Sequence, residues 1–189
     1  MTCVESNNCV HLVIGGARSG KSRLAEQLAK DFNQNGNKDI VYIATATVYD
    51  DEMQQRIKRH IDERPSHWLT VEEPLELAQA IAQHANESTC IVVDCLTLWL
   101  SNLLMQENPE HKGQLIAEHK KQLLEVLANS SNPIILVTNE VGQGIVPMGE
   151  LSRRFVDEAG WLHQGIAQIA EKVTLVVAGL PMSLKGSLG

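Results

Sequence analysis

Gly15-Gly16-Ala17-Arg18-Ser19-Gly20-Lys21-Ser22 is the stretch on which the reading of the whole chain turns. It meets every fixed position of the eight-residue pattern of a nucleotide-binding P-loop. A short apolar run, Val10 to Ile14, precedes it, and a helical pattern begins near Lys21, which is the strand-loop-helix context such a loop requires. Glycines at both ends let the backbone wrap closely round a phosphate, so that successive N–H groups and the helix N-terminus point at negative charge. In that geometry Lys21 reaches the β- and γ-phosphates and the Ser22 hydroxyl holds Mg²⁺. A Gly-rich turn between a strand and a helix is the plainer alternative, and it gives no reason for Lys21 and Ser22 to follow the glycines.

Outward from this loop, short apolar runs alternate with helical patterns. Ile40 to Ala44, Trp68 to Val71, Cys90 to Val93, Pro133 to Thr138 and Val173 to Ala178 read as strands, the last of them closing the sheet. Helical spacing follows the P-loop through Leu24, Ala25, Leu28 and Phe32. It returns over Asp50 to Arg64 with Met53, Ile57 and Ile61, from about Pro74 through Ile81, over Leu96 to Leu104, over Leu115 to Leu127, and from Glu150 to Ala170 despite Gly160 and Gly165. Glu107 to Gly113 reads as a loop. Continuous apolar strands alternating with helices predict an α/β fold with a mainly parallel sheet covered on both faces. The 189 residues suit one domain, here 10–189, behind a polar N-terminal extension of residues 1–9.

Cys90-Ile91-Val92-Val93-Asp94 is an apolar run ending in an acid, the Walker B pattern. At a strand's carboxyl end beside a P-loop, Asp94 can order the hydration shell of Mg²⁺ or serve as a base. The competing reading makes Asp94 an N-cap for the following helix. Thr45-Ala46-Thr47 places two hydroxyls at another strand end, where parallel sheets gather ligands, and local hydroxyl bonding in a turn explains them equally well. Glu52, Arg56 and His60 form a column on one helix face, where a histidine is ordinarily just solvated.

A formal net charge of −7 argues against a broad nucleic-acid surface, since such binding rests on clustered Lys and Arg. Small nucleotide substrates remain compatible with it. The four cysteines, at positions 3, 9, 90 and 95, have no metal-finger spacing, and Cys90 and Cys95 read as core fillers. With no signal peptide and no apolar stretch of about 18 residues, the chain reads as cytoplasmic, with reduced thiols and no membrane span.

Four motifs occur together: the GGARSGKS P-loop, the YIAT strand end at Tyr42 to Thr45, DDEM-x-x-RI-x-x-H ending at His60 with Arg64-Pro65 after it, and NEVG-x-GIVP from Asn139 to Pro147. In this order and spacing the chain resembles the bifunctional adenosylcobinamide kinase/adenosylcobinamide-phosphate guanylyltransferase family of cobalamin biosynthesis, from about Val10 to the C-terminus. The resemblance implies a RecA-like P-loop fold. It implies phosphorylation of the aminopropanol hydroxyl of adenosylcobinamide with ATP or GTP, then transfer of GMP from GTP to the new phosphate through a histidine adduct. It implies His60 as the guanylylated residue, and neutral imidazole has the chemistry to attack the α-phosphorus and expel pyrophosphate. It further implies nucleotide contacts from Gly15, Gly16, Ala17, Arg18, Ser19, Gly20, Lys21 and Ser22, from Thr45, Ala46 and Thr47, from Ile61, Asp62, Glu63 and Arg64, and from Glu72 and Asp94. Mg²⁺ would be held by Ser22 and Asp94, and family precedent implies a homo-oligomer, a ring-like trimer.

The chain departs from the family after Phe155-Val156-Asp157-Glu158-Ala159-Gly160, where Trp161, Leu162 and His163 stand before Gln164 in place of an Arg, a variable residue and an Asn. The other histidines, His11, His67, His84, His111 and His119, read as structural or solvated. Two rival functions use the same loop: a nucleotide-switch protein that transfers nothing, and a kinase with a single reaction. The first does not explain the segment around His60, and in the second His60 is merely surface.

Overall fold

The computed structural model describes residues 9–32, 39–47 and 65–187. Among the described residues seven strands form one sheet: β1 (Val10–Gly15), β2 (Asp39–Ala44), β3 (Leu69–Glu72), β4 (Thr89–Asp94), β5 (Ile134–Asn139), β6 (Lys172–Val177) and β7 (Leu180–Lys185). Their order is β3-β2-β4-β5-β1-β6-β7, with every pair parallel except β6 and β7. Among the described residues five α-helices accompany them: α1 (Lys21–Phe32), α2 (Leu77–His84), α3 (Leu96–Gln106), α4 (Gln114–Asn129) and α5 (Glu150–Ile169).

Side chains alternate across each central strand, and this divides the core in two. Leu12, Ile43, Ile91, Val93, Ile134 and Leu136 pack against α2, α3, α4 and α5, with Trp99 buried at the centre of that layer. Val13, Tyr42, Val92, Ile135 and Val137 face the other way, onto Ala25 and Ala29 of α1 and onto Trp68. The central strands are therefore apolar on both faces, as the continuous hydrophobic runs require. Cys90 and Cys95 fill the α1 layer as expected, and Cys9, Cys90 and Cys95 are in no disulfide among the described residues.

The structure corrects several expectations. Val173 to Ala178 is not the last strand: Ala178 and Gly179 take left-handed conformations, φ 53° and 80°, and reverse the chain into β7, which pairs antiparallel along β6. The helix placed from Pro74 starts at Leu77, because the Glu73 carboxylate accepts the N–H groups of Leu75 and Glu76, at 3.0 and 2.8 Å, and holds a turn there. Within Glu107 to Gly113 a single 3₁₀ turn forms at Pro109–His111. Gly165 does not weaken α5 without return, for a Cβ there would lie 3.1 Å from Leu124 Cδ1, so the missing side chain lets α4 and α5 approach. The helix expected over Asp50 to Arg64 and the polar extension up to Asn8 lie outside the described residues.

Candidate active site

The P-loop leaves β1 at Gly15 and enters α1 at Lys21, with Arg18 and Gly20 in left-handed conformations, φ 55° and 98°. Two close approaches explain the glycines at its ends. A Cβ on Gly15 would stand 2.4 Å from the Val176 carbonyl oxygen and 2.8 Å from Ser19 Oγ. A Cβ on Gly20 would stand 3.3 Å from Gly179 Cα, and the Gly179 N–H donates to the Ser19 carbonyl at 2.8 Å. The β6–β7 turn thus buttresses the loop from behind, a contact that sequence reasoning missed because the hairpin itself was missed.

Lys21 is buried and its Nζ donates to the Gly16 carbonyl at 2.7 Å, so the ammonium is curled into the loop's own cradle. Burial lowers its pKa, while the charge of Asp94 acts in the opposite direction, so Lys21 shares one electrostatic environment with the end of β4. Ser19 Oγ is buried and has no hydrogen-bond partner among the described residues. A buried hydroxyl with no partner is costly, and a phosphate oxygen is the partner that a P-loop supplies. Ser22 lies half-buried in the first turn of α1.

Asp94 sits on the strand two places from the P-loop strand, with β5 between them: Asp94 is in register with Val137, and Gly15 with Asn139. The N-cap of α3 is Cys95, not Asp94, and its side chain makes no capping bond. The Asp94 carboxylate instead accepts a hydrogen bond from the Tyr42 hydroxyl at 2.6 Å. Ser22 and Asp94 are both hard oxygen donors, which suits Mg²⁺ completed by phosphate oxygens and water. No cluster of three or more His, Cys, Asp or Glu side chains occurs among the described residues, and a nucleotide-borne Mg²⁺ needs none.

Thr45 is fully buried and belongs to the support of this site. Its hydroxyl donates to the Cys95 carbonyl at 2.7 Å and accepts from the Cys95 N–H at 2.9 Å, and its own N–H donates to the Asp94 carbonyl at 3.1 Å. Asn102 of α3, which the sequence did not mark out, donates to the Thr45 carbonyl at 2.8 Å and to the Pro74 carbonyl at 3.0 Å. The side chain of Asn139 donates to Thr97 Oγ1 at 3.0 Å, and Thr97 lies 3.2 Å from Cys95 Sγ. Burial, and then the charge of Asp94, push the Cys95 thiol up to about 11, so it is protonated at neutral pH and is no nucleophile.

Ala46 and Thr47 are half-exposed just beyond β2, and Glu72 is exposed at the end of β3, in register with Ala44. The structure therefore brings the P-loop, Asp94, Thr45 to Thr47 and Glu72 to the carboxyl edge of one sheet, with Glu72 farthest from the loop. His60, Ile61, Asp62, Glu63 and Arg64 lie outside the described residues. His163 is half-buried and its Nε2 lies 2.7 Å from Thr138 Oγ1, with burial lowering its pKa against an opposing effect of Glu140. His11 is buried within β1 and bonded to Thr174 Oγ1 at 2.8 Å, a structural histidine as expected.

Comparison with known proteins agrees with this layout. The family model described as cobinamide kinase / cobinamide phosphate guanyltransferase matches residues 11–184. The bifunctional adenosylcobalamin biosynthesis protein CobP of Pseudomonas aeruginosa is 54% identical over 175 residues, covering 93% of this chain and 96% of that protein. The bifunctional adenosylcobalamin biosynthesis protein CobU of Escherichia coli is 39% identical over 183 residues, covering 92% of this chain and 98% of that one. In fold alone, the crystal structure of the flagellar accessory protein FlaH from Methanocaldococcus jannaschii is similar, with a TM-score of 0.50 at 15% identity over 96% of this chain and 80% of that one. A P-loop strand separated by one strand from the strand bearing the acid is the RecA-like arrangement, and the similarities in sequence run through the whole of it. The chain belongs to the cobinamide kinase / cobinamide phosphate guanyltransferase family and is an enzyme of cobalamin biosynthesis with both of those activities.

Proposed function

We propose that a single nucleotide site serves both reactions in turn. In the first, the γ-phosphoryl group of ATP or GTP passes to the aminopropanol hydroxyl of adenosylcobinamide, leaving a nucleoside diphosphate. In the second, His60 attacks the α-phosphorus of GTP and expels pyrophosphate. The phosphate of adenosylcobinamide phosphate then displaces the imidazole and takes the GMP, giving adenosylcobinamide-GDP. The observation that carries this reading is the convergence of buried Lys21 and the Tyr42-bound Asp94 carboxylate on one phosphate cradle.

Within that site the backbone from Gly15 to Ser22 holds the phosphates, and Lys21 lies against the charge that develops on the oxygens being transferred. Mg²⁺, held by Ser22 and Asp94, would neutralise phosphate charge in both steps. Thr45 to Thr47, Ile61 to Arg64 and Glu72 would complete the guanine-nucleotide contacts. The enzyme would work in the cytoplasm as a homo-oligomer, on the family's precedent of a trimer. Among the described residues no helix is long and apolar enough to cross a membrane, which is compatible with that placement.

Mixing the protein with α-labelled GTP tests the reading. It predicts protein-bound label that is acid-labile and base-stable, as a phosphoramidate is, and release of that label onto adenosylcobinamide phosphate. A protein that phosphorylates the corrinoid yet retains no label would be a kinase of one reaction.

A further inference from the structure

The loop between β5 and α5 is rooted at the phosphate cradle, because the Glu140 N–H donates to the Gly15 carbonyl at 3.0 Å. It is braced at both ends. The Glu140 carboxylate accepts the N–H groups of Gly142 and Gln143 at 2.7 and 3.2 Å, and the Arg153 guanidinium donates to the Pro147 carbonyl at 3.2 Å and also to that of Met148. So held, the loop and the first turn of α5 show large apolar side chains to solvent: in the loop Ile145 is 97% exposed, Met148 96% and Val146 73%, and in α5 Leu151 is 54% exposed. A contiguous apolar display of this kind marks a surface that something covers.

We propose that this loop is the docking surface for the corrin macrocycle of the cobinamide substrate, an inference that rests on the family's activity and adds the subsite for its larger reactant. Three observations select that occupant. The loop leaves the carboxyl end of β5, the neighbour of the P-loop strand, which is the side of a parallel sheet where reactants meet. The substrate must bring a hydroxyl to the phosphates held by the P-loop, so its bulk has to rest on the rim of that cradle. From Gly142 to Gly149 no side chain is charged, in a chain of net charge −7. A surface without charge suits methylated hydrocarbon faces and uncharged amide arms, and offers nothing to a phosphate.

The test is a variant carrying Ile145→Ser and Met148→Ser, both fully at the surface and therefore tolerable to the fold. Equilibrium dialysis of adenosylcobinamide, the KM for each substrate in the kinase assay, and molar mass by light scattering are measured on the variant and on the unaltered enzyme. The expected result is an affinity and a KM for adenosylcobinamide weakened about tenfold. The KM for nucleotide, the labelling of the protein by α-labelled GTP and the molar mass stay unchanged. Unchanged corrinoid binding overturns the proposal, as does an equal loss of nucleotide affinity. A fall in molar mass overturns it too, by showing that the loop joins copies of the chain. If the unaltered enzyme itself does not turn over adenosylcobinamide, it is the assignment of function that fails, not the docking surface alone.

Discussion

The hydroxyl of Tyr42 donates a 2.6 Å hydrogen bond to Oδ2 of Asp94, across the pairing of β2 with β4. The tyrosine ring is buried and stacks on Trp68, with centroids 6.4 Å apart, so the hydroxyl is delivered from a fixed position. One carboxylate oxygen is thereby committed to the protein, and the plane of the group is set before any ligand arrives. Tyr42→Phe keeps the ring and removes the hydroxyl that makes this bond, and a hydrogen bond to a charged group is worth about 1.5–3 kcal/mol. We expect the Mg²⁺ concentration for half-maximal turnover to rise roughly three- to tenfold, by loss of orientation at Asp94. Titration of both activities against Mg²⁺, with a thermal melt beside it, reads this out. A lowered melting temperature with unaltered Mg²⁺ dependence would make the bond purely structural.

Lys21→Ala removes the buried ammonium from the cradle that, on the proposed reading, both reactions share. Loss of one preorganised charge at a transition state costs about 3–4 kcal/mol, so each rate should fall by roughly 10²–10³-fold. Assays of corrinoid phosphorylation and of GMP transfer on one preparation check it. Retention of either reaction at the unaltered rate would require a second nucleotide site.

His11 makes acid the weak flank of the fold. Burial first, and then the nearby charge of Lys172, lower its pKa to about 4 from the ordinary 6.5. Above pH 6.5 the imidazole is neutral whether the chain is folded or not, and it contributes no pH dependence. Between 6.5 and 4 the unfolded chain takes up a proton that the folded chain refuses, so stability falls with pH across that window, by at most about 3 kcal/mol. His163, also lowered by burial, adds to the same trend. Urea unfolding at pH 7.5 and pH 5 should show the loss, and His11→Gln should flatten it. An equal pH dependence in the variant would place the effect elsewhere.

What could be read from the sequence was local. The P-loop, the acid closing β4 and the strands from β1 to β6 each lie within a short window whose spacing has a physical reason, and the structure places these as read. What was hidden joins distant segments. Tyr42 reads as one more apolar residue in a buried strand, and nothing in its neighbourhood points to Asp94, 52 residues away. Asn102 lies in the middle of a helical pattern, yet it fastens Thr45 and Pro74. The hairpin into β7 was missed because Leu180–Lys185 is exposed along its whole length and follows an Ala-Gly turn, so neither a buried run nor a familiar turn pair announced it. Thr45, which spacing left open between turn and ligand, proves to bond the backbone of Cys95 with its hydroxyl.

The central claim is that the two reactions divide at His60, and one paired measurement on His60→Asn tests it. Direct phosphoryl transfer needs in-line positioning and Mg²⁺, which on the proposed reading the P-loop and Asp94 would provide, whereas transfer through an adduct needs the imidazole itself. A single preparation is assayed for adenosylcobinamide phosphate formed from the corrinoid and for label retained on protein from α-labelled GTP. The predicted result is phosphorylation within a few-fold of the unaltered enzyme and no retained label. Retained GMP would contradict it and move the nucleophile to another residue, with His163, beside Thr138 at the end of β5, the next to replace.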